Sequence, residues 1–450
     1  MRQQGFDRYR QPVRRDLSIF RHRRFALLFA ARTSAVLGAS IGPVALAFGI
    51  LGLRSGTPTR LSVVLAAESV AILLTLLIGG VIADRLPRYQ VMYASDGLSA
   101  VAWATIGVML LTGWAPIGVL AGVAVLAGAG TGLFWPAMTG VIPEVAPSAQ
   151  LQAANGFLRL GENGSRILGV AIAGAMVALV GAGWAMLINA AGFAISALLL
   201  TRLRLPRTGT IEASNIIADL REGWQEFTSK QWLWVVVAQF SILVGGLEAF
   251  YGVLGPVVAK RELNGAPSWS IVLAGESIGM LVGVVIAIRI RPRRPILTGV
   301  LLTFPLALAP LLLGLGAPVL VVAAGALVGG LCVDIFAVLW ETTMQRSVPE
   351  AALSRVSSYD ALGSLLFGPV GVLVAGPLAG WLGARHALLV VAASVVVPTA
   401  LALLSPGVRN MQMPAAVDGD RADLTPVTSG TTVIAPLPIA SAVGGSAAGP

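Results

Sequence analysis

Twelve apolar runs of about 20 residues, separated by short charged or Pro- and Gly-containing gaps, leave this chain few folds to choose from. They centre on residues 26–50, 61–83, 91–112, 116–138, 156–179, 183–201, 232–256, 269–288, 296–315, 318–340, 362–381 and 386–404. Each is long enough to cross the hydrocarbon layer of a bilayer as a helix. A helix satisfies its own backbone hydrogen bonds there, so the pattern predicts an all-α membrane protein with twelve transmembrane helices. Composition agrees: 56% of the 450 residues are hydrophobic and only 12% charged, too few charges to clothe a soluble protein of this size. A soluble enzyme, a disulfide scaffold and a disordered hub are excluded. Cys332 alone permits no intrachain disulfide, and His22 with His386 makes no metal site, so neither a metal nor a cofactor is expected.

An even number of spans puts both termini on one side. The gaps on that side hold 23 arginines and lysines, against 5 on the other (Arg54, Arg60, Lys260, Arg261 and Arg385). The positive-inside rule makes the richer side cytoplasmic. The net charge of +10 is read as this topogenic bias, not as a nucleic-acid surface. The basic start runs directly into a full-length span, so the first helix is expected to act as an uncleaved insertion signal.

The chain also repeats itself. Val64-Leu65-Ala66-Ala67-Glu68-Ser69 returns as Val272-Leu273-Ala274-Gly275-Glu276-Ser277, Pro143-Glu144 as Pro349-Glu350, and Gly181-Ala182 as Gly383-Ala384. Three matches in one order imply two six-helix bundles inserted the same way up, an arrangement found where two halves rock around a central site. The expected layout is a cytoplasmic basic N-terminus (1–24), a first bundle (25–201), a cytoplasmic linker (202–231), a second bundle (232–404) and a disordered cytoplasmic tail (405–450). In the linker, Ile217, Leu220, Trp224 and Phe227 recur with helical spacing, predicting an amphipathic helix lying on the cytoplasmic surface.

After the second span comes Gly80-Val81-Ile82-Ala83-Asp84-Arg85-Leu86-Pro87-Arg88-Tyr89. An acid and two arginines at a cytoplasmic helix end suit a latch between helices that part and rejoin. With twelve spans and two parallel halves, this segment resembles the signature loop of the major facilitator superfamily, G-x-x-x-D-R-x-G-R-[RK]. Gly80, Asp84, Arg85 and Arg88 match; Pro87 replaces the second glycine and Tyr89 a basic residue. Asp96, two turns beyond Arg88, is assigned to the same latch. Within the superfamily, Phe25-Ala26-Leu27-Leu28-Phe29-Ala30-Ala31-Arg32, Asp219-Leu220-Arg221-Glu222-Gly223 and the Gly368-Pro369 to Gly376-Pro377 stretch look like the bacterial exporter branch that includes enterobactin and macrolide efflux proteins. The Gly-Pro motif of drug/proton antiporters is missing from span 5, where Val170 follows Gly169.

The resemblance implies a monomeric, non-enzymatic exporter in the bacterial inner membrane. It would move small amphipathic molecules, drug-, antibiotic- or siderophore-like, by alternating access and proton-coupled antiport. Its partners would be substrate, protons and the lipid bilayer, with no nucleic acid. A metabolite uptake permease or uniporter, and a transporter-like receptor or scaffold that moves nothing, are the alternatives.

Ionisable side chains at mid-bilayer cost about 2.5–3.5 kcal/mol each on insertion scales, so those present are expected to face a cavity or a partner. They are Arg32, Glu68, Asp96, Arg159, Glu162, Arg166, Glu248, Glu276, Asp334 and Glu341. By resemblance, spans 1, 4, 7 and 10 line the central cavity. Asp334 and Glu341 share one face of span 10, and Glu248 pairs with Tyr251 at i, i+3. Asp334, Glu248, Glu341, Glu68, Arg32 and Tyr251 are therefore candidates for substrate or proton contacts, unless each acid is locked to an arginine. Trp135 and Trp340 suit an aromatic wall or an interfacial belt. Along span 5, Arg159, Glu162 and Arg166 form a stripe that either neutralises itself or, by matching depth, lets Arg166 meet Glu276 across the halves.

Overall fold

Twelve long helices run back and forth through the computed structural model, which describes residues 18–147, 150–203 and 216–412. The first half contains α1 (Arg23–Gly52), α2 (Pro58–Arg85), α3 (Arg88–Thr112), α4 (Ile117–Val145), α5 (Leu151–Leu179) and α6 (Ala182–Thr201). The second contains α7 (Gln231–Glu262), α8 (Ala266–Ala287), α9 (Pro295–Gly314), α10 (Val319–Ser347), α11 in two pieces (Glu350–Leu365 and Gly368–Trp381) and α12 (Ala384–Ala402). No strand occurs among the described residues. The segments up to residue 17, between 204 and 215, and from 413 onward lie outside them, and with these most of the expected basic N-terminus and tail.

Eleven of the twelve are long and apolar enough to cross a membrane. The other is α5, 29 residues long but interrupted by Arg159, Glu162 and Arg166. Glu162 is paired with Arg32, and Arg159 and Arg166 interact with acids of the other half, as shown below. Where the outer surface is apolar it is strongly so: Leu179 is 84% exposed and Trp381 83%, a surface that a bilayer solvates and water does not.

Breaks in the helices follow the residues. In α9 the chain tightens to a 3-10 turn at Phe304–Ala307, where Pro305 cannot donate to the ladder. In α11 the helix is interrupted before Gly368-Pro369 for the same reason. The turns into α6 and α12 are matched: Gly181 has φ 90° and Gly383 φ 83°, a conformation glycine adopts without strain, which explains why Gly-Ala recurs there in the sequence.

Each half is built by close helix contacts at small residues. A Cβ at Gly128 would run into the Glu68 carbonyl oxygen, and one at Gly330 into that of Glu276, so the repeated glutamates mark equivalent α2–α4 and α8–α10 crossings. Between the halves, α2 packs against α11 and α5 against α8. These contacts include the arginine-poor end, where Gly376 lies against Pro58 and Thr59, and Gly174 against Ala266 and Pro267. There Lys260 also donates from Nζ to the Leu51 carbonyl, tying α7 to α1.

One hydrophobic core fuses the halves at that end, running from Leu46, Ile50 and Leu61 to Phe250, Leu254, Trp269 and Leu388. At the arginine-rich end the core divides. Phe25, Met92, Val141 and Leu158 belong to a core of the first half alone, and Trp232, Ile296, Phe336 and Val356 to one of the second. The cleft between the halves is thus sealed at the arginine-poor end and parted at the other.

The linker helix, Ile216–Ser229, does more than lie on a surface. Phe227 is buried in the second-half core, and Trp224 stacks on it with ring centroids 5.7 Å apart while meeting Tyr359 of α11 edge-on at 5.4 Å. The side chains of Ile217 and Leu220 lie outside the described residues.

Candidate functional site

Two neighbouring sets of polar side chains interrupt the apolar interior. In the first half, Arg32 of α1 places Nε 2.5 Å from Glu162 Oε1 of α5. Its guanidinium also lies over two rings of α4, Phe134 at 5.2 Å and Trp135 at 4.9 Å from their centroids. A planar cation gains from both the carboxylate and the ring faces, so Arg32 is held in an aromatic and carboxylate box. Asp96 interacts electrostatically with Arg32 and, 3% exposed, accepts a 2.5 Å hydrogen bond from Ser196 Oγ of α6.

The second set spans the cleft. Glu68 of α2 and Glu248 of α7 interact across the halves. Tyr251 directs its hydroxyl to the Glu276 carboxylate of α8, and Glu276 also interacts with Glu248, Asp334 and Arg166. Arg166 and Arg159 of α5 both interact with Asp334 of α10. These five candidate groups and the two α5 arginines are thus linked in one electrostatic network across the halves, which includes Tyr251 in the π turn of α7 over Phe250–Leu254. Such turns widen a helix locally and are frequent where side chains are aimed at a site.

On the parted side of this set a cavity of about 510 Å³ opens in the second half, between α7, α10 and α11. Phe240 stacks on Phe336 at 4.8 Å and Phe336 on Trp340 at 6.0 Å, with interplanar angles of 13° and 18°. Trp340 Nε1 donates to Asp360 Oδ2 at 3.1 Å, and the exposed Glu341 accepts from Gln345 at 3.4 Å.

The latch residues are placed differently from one another. Arg88 Nη1 donates to Glu144 Oε1 of α4 at 3.1 Å, at 28% and 14% side-chain exposure. Asp96 is directed at Ser196 and Arg32, not at Arg88, because two helical turns on α3 carry it into the α3–α6 contact. Arg85 is exposed at the end of α2, and the side chains at Gly80 and Asp84 lie outside the described residues. Along α5 the stripe does not neutralise itself. Glu162 is taken by Arg32, while Arg159 and Arg166 are turned to the other half.

Sequence reasoning missed Asp360, which lies just before residue 362, where the apolar run begins, and so looked like part of a loop. It also missed the partner residues Glu144 and Ser196, and the stacking of Phe240 and Phe336. Pro143-Glu144 belongs to one of the repeats, and the i, i+4 spacing of Phe336 and Trp340 is a usable signal for a shared face.

A two-half helical membrane protein, with a polar cleft closed at one end and parted at the other, is the class defined by these features. The sequence matches the Major Facilitator Superfamily model over residues 25–362, and the chain belongs to that family of multi-pass membrane transporters. It is 28% identical over 412 residues to the multidrug efflux pump Tap of Mycobacterium tuberculosis, covering 88% of this chain and 96% of that one. It is 23% identical over 320 residues to macrolide efflux protein A of Streptococcus pyogenes, covering 68% of this chain and 77% of that one. Among solved structures, the fold is similar to a bacterial homologue of the human lysosomal transporter Spinster in an inward-facing, unoccupied conformation. The TM-score is 0.68 at 14% identity, covering 88% of this chain and 99% of that one. The nucleoside transporter NupG gives a TM-score of 0.68 at 15% identity, covering 85% and 98%.

Proposed function

We propose that this transporter exports small amphipathic molecules from the cytoplasm by alternating access, in antiport with protons. In this reading the arginine-rich end and both termini are cytoplasmic, the protein works as a monomer in the bacterial inner membrane, and the conformation described is the one that loads substrate. The observation that carries the reading is the division of the core. With the halves fused at one end and separate at the other, the cleft is accessible from the arginine-rich side, where an exporter must collect its cargo. The names of the efflux relatives support the direction.

Asp334 and Glu248 are assigned to proton coupling, with Glu68 and Glu276 beside them and Tyr251 as a hydrogen-bonding neighbour. Antiport needs an acid that holds a proton in one state and yields it in another. An acid whose arginine comes from the opposite half meets that need, since rocking changes the distance between them. Asp334 with Arg166 and Arg159 is such an arrangement, and Glu276 with Arg166 is a second. Arg85, Arg88, Asp84 and Gly80 are assigned to the latch that re-forms when the parted end closes.

The test uses everted membrane vesicles acidified inside by respiration, with a fluorescent pH dye reporting the lumen. Addition of an exported compound is expected to release luminal protons, and Asp334→Asn is expected to abolish the release while leaving protein abundance unchanged. If Asp334→Asn and Glu248→Gln both release protons at the wild-type rate, coupling through these acids is wrong; if wild-type vesicles take up the compound without releasing protons, a uniport mechanism replaces antiport.

A further inference from the structure

The two halves treat their aromatic and carboxylate surfaces in opposite ways. In the first half the box formed by Phe134, Trp135 and Glu162 is already filled by a cation of the chain's own, Arg32. In the second half Gln239 stands at the matching place on α7, offset by 207 residues, and turns away from the cavity to donate to Thr303 and Thr399 at 2.9 Å each. The cavity of about 510 Å³ nevertheless keeps the other elements: three near-parallel rings, Phe240, Phe336 and Trp340, and two carboxylates, Asp360 and Glu341. Among the described residues that line it, none is an arginine, lysine or histidine.

We propose that this cavity binds an organic cation carrying a flat aromatic ring, which takes the place that Arg32 fills in the other half. The assignment names a substrate class for the exporter reading and rests on it for its biological sense. The ligand ring would extend this stack from the part the cavity leaves open, chiefly at Phe240, since Phe336 and Trp340 are 6% and 9% exposed, and there offset stacking and cation–π attraction act together. Asp360 is held for the charge: Trp340 Nε1 and Ser364 Oγ donate to it at 3.1 and 3.5 Å, fixing its orientation while leaving acceptor positions for a ligand cation. Glu341, exposed and bonded only to Gln345 of its own helix in the described contacts, provides a second carboxylate at the mouth. Met344 lends an adaptable apolar contact. The volume falls in the range of small-molecule sites.

The test measures binding to the purified full-length protein by fluorescence, using ethidium as the flat aromatic cation and N-phenyl-1-naphthylamine as a neutral aromatic. Wild-type protein is expected to bind ethidium saturably. Asp360→Asn should weaken ethidium about tenfold and leave the neutral probe within about twofold. Ala337→Arg, on an exposed position of the cavity wall, would supply an internal cation as Arg32 does and should abolish ethidium binding. Gel filtration shows that each variant is folded. Should Asp360→Asn fail to fold, Ala337→Arg and Glu341→Gln carry the test. Ethidium affinity unchanged in the folded variants, or both probes weakened alike, overturns the assignment. Vesicles that transport neither probe would defeat the exporter reading, while a charge-selective ethidium site on the purified protein would still stand.

Discussion

The two halves share one helical plan and differ in what they place at corresponding depths. At offsets of 207, 207 and 203 residues, Arg32, Asp96 and Ser196 of the first half become Gln239, Thr303 and Thr399 of the second. The first trio is ionic, with Asp96 bonded to Ser196 and facing Arg32. The second is neutral: Gln239 donates to both threonines, which lie 3.0 Å from each other. The geometry of helix packing therefore does not require charge at this crossing, because amide and hydroxyl groups satisfy it. Charge in the first half must be retained for another purpose, and the placement of Arg32 between Glu162, Asp96 and the α4 rings suggests which. Arg32 fills the space over the α4 rings, whereas among the described residues no cation of the chain fills the aromatic cavity of the second half.

The largest difference between the halves is expected on removing the arginine. Arg32→Gln would strand the Glu162 carboxylate, whose side chain is 23% exposed, and withdraw the cation facing Asp96. Breaking one side of a fully buried ion pair costs on the order of 3–5 kcal/mol, since the remaining charge keeps its desolvation penalty, and because this pair is part-buried a loss at or below the lower end of that range is expected. The thermal midpoint of the purified protein should fall accordingly. A variant that also carries Glu162→Gln and Asp96→Thr should recover most of the loss by copying the neutral solution of the second half. If the single variant is as stable as wild type, the ionic trio is not holding the first half together.

Gln239→Leu should cost less. It removes two hydrogen bonds of 2.9 Å, but Thr303 and Thr399 keep each other, and no charge is left unpaired. Interhelical hydrogen bonds in membrane proteins average about 0.6 kcal/mol, so a loss near 1 kcal/mol is expected. A loss as large as that of Arg32→Gln would erase the proposed distinction between an ionic and a neutral knot.

How much of this was legible beforehand depends on whether a property runs along the chain or between helices. Spans, the two halves and the matched Gly181 and Gly383 turns follow from local composition, because hydrocarbon thickness and backbone sterics act on each segment separately. The rotation of each helix about its axis does not. Glu162 looked equally able to pair with Arg166, four residues on, as with anything else, and only the α1–α5 contact gives it to Arg32. Asp360 escaped notice because hydropathy places the edge of a span where the charges begin, whereas α11 starts at Glu350 and carries Asp360 to the cavity on a continuous helix. The same limit applied to the linker, whose amphipathic pattern announced an apolar face but not that Tyr359 would cover it.

The smallest difference between halves is expected where they are most alike. Gly128 and Gly330 each face the backbone carbonyl of a repeated glutamate, Glu68 and Glu276, on the neighbouring helix. An added methyl at either position would collide with backbone, which cannot swing aside as a side chain does, so both Gly128→Ala and Gly330→Ala should force their helix pair apart and destabilise the protein. The two losses should agree within about 0.5 kcal/mol, near the limit of independent additivity, and the double variant should show their sum because the crossings lie in different halves. Measuring all three in one denaturation series compares the halves at a place where charge plays no part. A marked inequality would mean that the repeated Glu-Ser segments are packed differently despite their sequence, and the correspondence used to align Arg32 with Gln239 would have to be redrawn.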